Sequence, residues 1–315
     1  MNSRYPRENE PEASRKAARR IACCAKKALL YEVSVTPKPG LVDRADSGCH
    51  RDMDYHTFLD SIASLPPYFE ICAAEGAACA AGEVDGTGGG PALLLTKLRG
   101  PGLAAEKEML RATGGVNTHK GAIFILGILA AAAGYCLAQK SGETDSRFTD
   151  GILTVAGRIA APSLQDLEGP MQAGTEGQGV LGERSEPETE GLRQYRTDGC
   201  TGVRGEAAQG FPSLRNCALP VLRGALAEGQ TWNDAGVSAI LSLILTVDDT
   251  TLLKRCKGRD GLETERAYLR TLLAEYPPKE AAALLNERWS KAGISAGGCA
   301  DLLGAAFFLL FLEQE

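Results

Sequence analysis

Only three histidines occur in the 315-residue chain, and two of them, His50 and His119, lie in polar, glycine-bearing loops beside charged residues. His119 belongs to Gly115-Val-Asn-Thr-His-Lys-Gly121, directly before a long apolar stretch. Free amides at a helix start attract anions, and Asn117, Thr118, His119 and Lys120 add donors and charge. The pattern predicts a phosphate site; an N-cap by Asn117 or Thr118 with incidental Lys and His is the plainer alternative. Walker A spacing is absent.

Other chemistry-bearing residues sit in separate loops. His50 lies in Gly48-Cys-His-Arg-Asp-Met-Asp54, where Asp52 and Asp54 could hold a magnesium ion that also touches phosphate, or Asp54 could simply cap the next helix. Asp248 and Asp249 fall at the C-terminal end of an expected helix, where the macrodipole is negative. A bound cation, or Lys254 and Arg255, would offset that placement. Arg204 and Glu206 alternate in a loop flanked by glycines, suited to phosphate and proton transfer respectively, or to a surface ion pair. Asp301 follows Gly297-Gly298 in the first turn of the last helix, as an anion site or as simple dipole matching would have it.

These loops need a helical frame. A first helix is expected over about 14–33, with Ser14 as its cap and a stripe of Ala17, Ile21, Cys24, Ala25 and Ala28. Continuing the stripe reaches Glu32, a carboxylate that is costly to bury unless paired or used. Thr36-Pro-Lys-Pro-Gly40 cannot be helix and projects Lys38 from a stiff loop. Helices follow through Phe58, Ile62 and Leu65, restarting at Pro66-Pro67, then over about 93–98 and 103–111. Further ones fit 214–227, 232–247, 262–275, 279–292 and 299–312. Residues 82–91 read as a surface loop and 160–201 as a long insertion or lid. Residues 1–13 read as disordered. No period-2 strand appears, so the expectation is a single all-α, bundle-like domain spanning 1–315.

Residues 121–138 carry no charge and nearly reach bilayer length. Half of them are Ala or Gly, and no second such segment exists, so a central buried helix is favoured over a membrane span. A net charge of −6 argues against a nucleic-acid coat, so a phosphorylated ligand needs local basic groups. The ten cysteines form no C-x-x-C pair and several sit among apolar residues, which points to reduced thiols in a cytoplasmic protein.

Read in order, TPKPGLVDR, HRDMD, GVNTHKG, GVRGEA, DDT and SAGGCADLL resemble the motif series of triphosphoribosyl-dephospho-coenzyme A synthases, from about Leu29 to Leu303. Departures are Thr251 where the family usually has Asn, Ala296 where it has Pro, and Arg51 where Lys is common. The resemblance implies transfer of the triphosphoribosyl part of ATP to the 2′-hydroxyl of 3′-dephospho-CoA, with release of adenine. The product would serve a downstream transferase and the acyl carrier subunit of citrate lyase or malonate decarboxylase. It further implies Lys38, His50, His119, Lys120 and Arg204 on phosphates, with Asn117 and Thr118 as neutral donors. Asp52, Asp54 and Asp249 would gather magnesium, and Glu32 or Glu206 would be the base. No nucleic-acid or membrane partner is expected, and a homodimer is allowed. The alternatives are a helical nucleotide hydrolase or pentosyltransferase of other specificity, and a nucleotide-sensing assembly factor.

Overall fold

The computed structural model describes residues 12–82, 90–139, 146–164 and 200–314. Among these, every regular element is helical: α1 (Glu12–Ser34), α2 (Tyr55–Ser64), α3 (Pro66–Ala80), α4 (Leu94–Ala112), α5 (Lys120–Gln139), α6 (Ser146–Ala160) and α7 (Gly202–Ala208). The series continues with α8 (Leu219–Ala227), α9 (Trp232–Thr246), α10 (Thr250–Arg255), α11 (Arg259–Glu275), α12 (Pro278–Ala292) and α13 (Gly297–Glu313). The all-α expectation fits. Most of the expected insertion and of the disordered N-terminus lies outside the described residues.

The apolar stretch is the central helix α5, which packs against α3, α6, α13, α1 and α4. It is long and apolar enough to cross a membrane, with a mean hydropathy of 2.1, yet 72% of that window is buried inside the protein. Its small residues explain how so many neighbours fit. A Cβ on Gly134 would overlap the carbonyl of Ala73, and one on Gly76 would overlap the carbonyl of Ala131. The α3 and α5 backbones therefore meet with no side chain between them, which maximises dispersion contact. The last helix, α13, is equally apolar and buries Phe307, Phe308 and Phe311.

Three local expectations are corrected. Ser14 lies inside α1, which is already helical at Glu12. The two short helices over 93–111 are one helix, α4, running through Pro101. Leu94, Leu98, Ala105 and Met109 keep one buried stripe in phase across that proline, so packing outweighs the lost hydrogen bond. Helix α6 was not anticipated, although Phe148, Ile152, Ala156 and Ile159 recur at helical spacing and are buried.

Candidate active site

Six separated segments converge on one cavity of about 620 Å³. Its wall takes Glu32 from the last turn of α1, Lys38 from the following loop, and His50 and Asp52 from the approach to α2. Asn117 to Gly121 come from the entry to α5, Val203 and Glu206 from α7, Asp248 to Thr251 from the turn into α10, and Asp301 from α13. Arg255 and Arg259 complete it.

Lys38 is 1% exposed and forms an ion pair with Glu32, itself 3% exposed. Burial raises the Glu32 carboxyl above the usual range, even though Lys38 pulls it down. The stiff loop is held at several points. Asp43 accepts from the Lys38 amide at 2.9 Å, and Asn286 accepts from that of Gly40 at 2.8 Å. Asn233 grips the Thr36 backbone in both directions, accepting from its N–H at 2.9 Å and donating to its carbonyl at 2.8 Å.

The entry to α5 differs from the expected open anion site. Asn117 Oδ1 accepts from the Lys120 amide at 3.3 Å, as an N-cap does. The Asp301 carboxylate accepts from the Ala122 amide and rests against Gly121. The helix start is thus already served by protein acceptors, Asn117 and Asp301. Lys120 lines the cavity but pairs with Glu106 at 3.0 Å. Thr118 lines the cavity while its hydroxyl donates to Ser61 at 2.8 Å. His119 is 2% exposed, and burial followed by nearby Lys38 drives its pKa down to about 3. It offers a hydrogen bond, not a charge.

Asp249 is placed differently from expectation as well. Helix α9 ends at Thr246, and the buried Arg266 donates to its last carbonyls, at 2.9 Å to Ile244 and 2.7 Å to Val247. Asp249 is instead the N-cap of α10, accepting from Thr251 at 2.7 Å and Leu252 at 3.1 Å. Its other oxygen accepts from Cys299 at 3.0 Å, at the start of α13. One carboxylate thereby caps two helices, on the favourable end of each. Burial nevertheless raises its pKa.

Two expected residues are not brought to the cavity. Asp54 is exposed and forms a capping box with Thr57, its side chain accepting from that amide at 2.8 Å. Arg204 sits on α7, where Val203 and Glu206 share the face that lines the cavity. One residue along a helix rotates by about 100°, so reading this segment as a loop misassigned its neighbour. Glu206 accepts from the Ser213 amide at 2.7 Å, and burial raises its carboxyl. Asp301, read above as part of an anion site or as dipole matching, is instead held well above the carboxylate range by burial and the nearby charges of Glu32 and Asp249. Arg259 lines the cavity without any motif signal, and Arg255, read above only as offsetting the carboxylates at 248 and 249, joins it there.

Burial sorts the charged groups of the wall. Glu32, its partner Lys38 and Asp249 are buried, with Asp301 half-buried beside them. Lys120, Arg255 and Arg259 are exposed at its mouth, with Asp52 and Asp248. His50 stands half-buried between the two, its pKa lowered by burial and by Arg255.

An all-α enzyme whose nucleotide-sized cavity combines buried carboxylates with exposed lysine and arginine side chains has the groups that transfer from a phosphorylated ligand requires. The chain belongs to the ATP:dephospho-CoA triphosphoribosyl transferase family, whose model matches residues 18–315. A 2-(5''-triphosphoribosyl)-3'-dephosphocoenzyme-A synthase of Pectobacterium atrosepticum is 36% identical over 288 residues, covering 91% of this chain and 87% of that relative. Relatives named as probable synthases of the same kind include one from Lactiplantibacillus plantarum, 37% identical over 90% of this chain and 94% of its own. Another, from Streptococcus pyogenes, is 36% identical over 93% of this chain and 97% of its own. No solved structure matches the chain.

Proposed function

We propose that this chain transfers the 5-triphosphoribosyl group of ATP to the 2′-hydroxyl of 3′-dephospho-CoA and releases adenine. The observation that carries the reading is the convergence of the family's separated motif segments on one cavity lined by carboxylates and basic side chains. The triphosphate would lie toward Lys120, Arg255 and Arg259 at the mouth, and the ribose toward the buried carboxylates. Displacement at an anomeric carbon passes through an oxocarbenium-like state, which carboxylates stabilise. Glu32 or Glu206 takes the hydroxyl proton, and a neutral Asp301 is suited to protonating the departing adenine.

Magnesium belongs to the same proposal. The wall carries hard oxygen donors, yet among the described residues no three acidic, histidine or cysteine side chains group closely enough to hold a metal alone. That fits magnesium, which commonly takes one or two carboxylates and completes its shell with water and substrate phosphates. When bound it would neutralise the triphosphate. Asp52 at the mouth is the free candidate ligand, whereas Asp249 is already engaged by three amides.

The product would pass to a transferase that loads an acyl carrier subunit of citrate lyase or malonate decarboxylase. A cytoplasmic setting suits its ten free cysteines. The test is to incubate the chain with ATP, magnesium and dephospho-CoA and to chromatograph the products. Free adenine that depends on the acceptor is the expected result; ADP or AMP in its place defeats the reading. Chelation of magnesium should abolish adenine release.

A further inference from the structure

Ser61 lies fully buried on α2 and has no part in the reaction sketched above. Its hydroxyl stands between two side chains of the segment that enters α5. Thr118 donates to Ser61 Oγ at 2.8 Å, and Ser61 Oγ lies 2.7 Å from His119 Nδ1. A serine hydroxyl has one hydrogen to give. With Thr118 already directing its hydrogen at the serine oxygen, the hydrogen of Ser61 has His119 Nδ1 as its acceptor. Nδ1 then carries no proton, and a neutral imidazole must carry it on the other nitrogen.

The ring is held firmly. Phe58 packs edge-on at 4.9 Å, and the His119 backbone N–H donates to Met109 Sδ at 3.2 Å. Nε2 itself is buried and has no hydrogen-bond partner, although His119 belongs to the cavity wall. Buried polar atoms without partners are rare in native proteins, and at a binding wall a ligand is the usual missing partner. Burial beside Lys38 keeps the ring uncharged at neutral pH.

We propose that Ser61 is a positioning residue that fixes His119 as a neutral Nε2–H donor to an acceptor atom of the nucleotide. This rests on the reading that the cavity takes a nucleotide. It leaves the base to a carboxylate, because a protonated Nε2 has no lone pair to accept a proton.

The test is nitrogen-15 NMR of the full chain labelled at histidine, which contains only three imidazoles. At pH 7 the histidine whose signals vanish in His119→Gln should show the neutral, Nε2-protonated pattern. Ser61→Ala and Thr118→Val should each move it toward a mixture of tautomers while the other two histidines keep their shifts. ATP, at concentrations that raise the melting temperature, should shift the Nε2 signal. Adenosine and inorganic triphosphate, added separately, identify which part of the nucleotide supplies the acceptor. Turnover of Ser61→Ala should fall roughly tenfold, the equivalent of one hydrogen bond, with KM for dephospho-CoA unchanged. An Nδ1-protonated or charged His119 in the unsubstituted chain, or an Nε2 signal that ignores bound ATP, overturns the proposal. Should ATP shift the signal while no adenine is ever released, the reaction assigned above fails and the role of Ser61 stands.

Discussion

Asp301 Oδ2 lies against the Cα of Gly121, so close that a Cβ built there would overlap it. The N-terminal part of α13 is thereby seated on the first turn of α5, where the Ala122 amide donates to the same carboxylate. Gly121→Ala should displace Asp301 without unfolding the chain, since over-packing of this kind costs about 1–3 kcal/mol. The expected outcome is a loss of adenine release of at least about tenfold, the effect of one mispositioned proton donor. Steady-state kinetics with a parallel thermal melt would check it; an active Gly121→Ala variant would remove Asp301 from the mechanism.

The buried ion pair of Glu32 and Lys38 should respond asymmetrically. Glu32→Gln strands a buried ammonium and should cost about 3–5 kcal/mol. Lys38→Met should cost less, because the Glu32 carboxyl is already raised by burial and can take up a proton. The double variant should regain most of the stability while remaining inactive. Denaturant titration of the three variants decides the order.

Asp52 and Asp54 offer a separation of metal from cap. Asp54→Ala should lower the melting temperature through the lost capping box and leave turnover within about twofold. Asp52→Asn, at the cavity mouth, should leave stability unchanged and raise the magnesium concentration needed for half-maximal rate. Equal magnesium dependence in all three proteins would count against Asp52 as a ligand.

Acid should weaken the fold through His119. Its pKa is lowered to about 3 in the folded state, so between the ordinary histidine value of 6.5 and 3 the unfolded chain binds the extra proton. Stability from this group is therefore full above about pH 6.5 and falls as pH drops, by about 2 kcal/mol at pH 5. Asp301, raised, has the opposite sign, and its stabilising influence fades as pH rises above the unfolded carboxylate value. Comparing the pH dependence of unfolding for the unsubstituted chain and His119→Asn cancels the carboxylate contribution and isolates the histidine. A difference that stays flat from pH 7 to 5 would show that His119 is not held neutral.

Much of the frame was legible because helical periodicity is local. The stripe on α1 pointed to Glu32, and the prolines around Lys38 announced a loop, as found. What escaped depends on partners distant in sequence. Nothing near Asp249 reveals that Cys299 will donate to it, and nothing near Asp301 reveals that Glu32 will share its cavity. Arg204 was misplaced for a different reason: glycines at 202 and 205 suggested a loop, whereas α7 is helical there and turns Glu206 inward instead. Type and order of residues carried the family; the direction in which each side chain points required the fold.

The bare contact between α3 and α5 has a consequence for how the chain is made. Helix α5 emerges from the ribosome long before α13, which covers it in the finished protein. Until then a segment as oily as a membrane anchor has α1, α3 and α4, and then α6, to shelter against. The glycines at 76 and 134 let α3, made before α5, close tightly on it without a side chain in the way, which would limit the time its apolar face stands exposed. A larger residue at either position would then show first as poor yield from the living cell, ahead of any change in the purified enzyme.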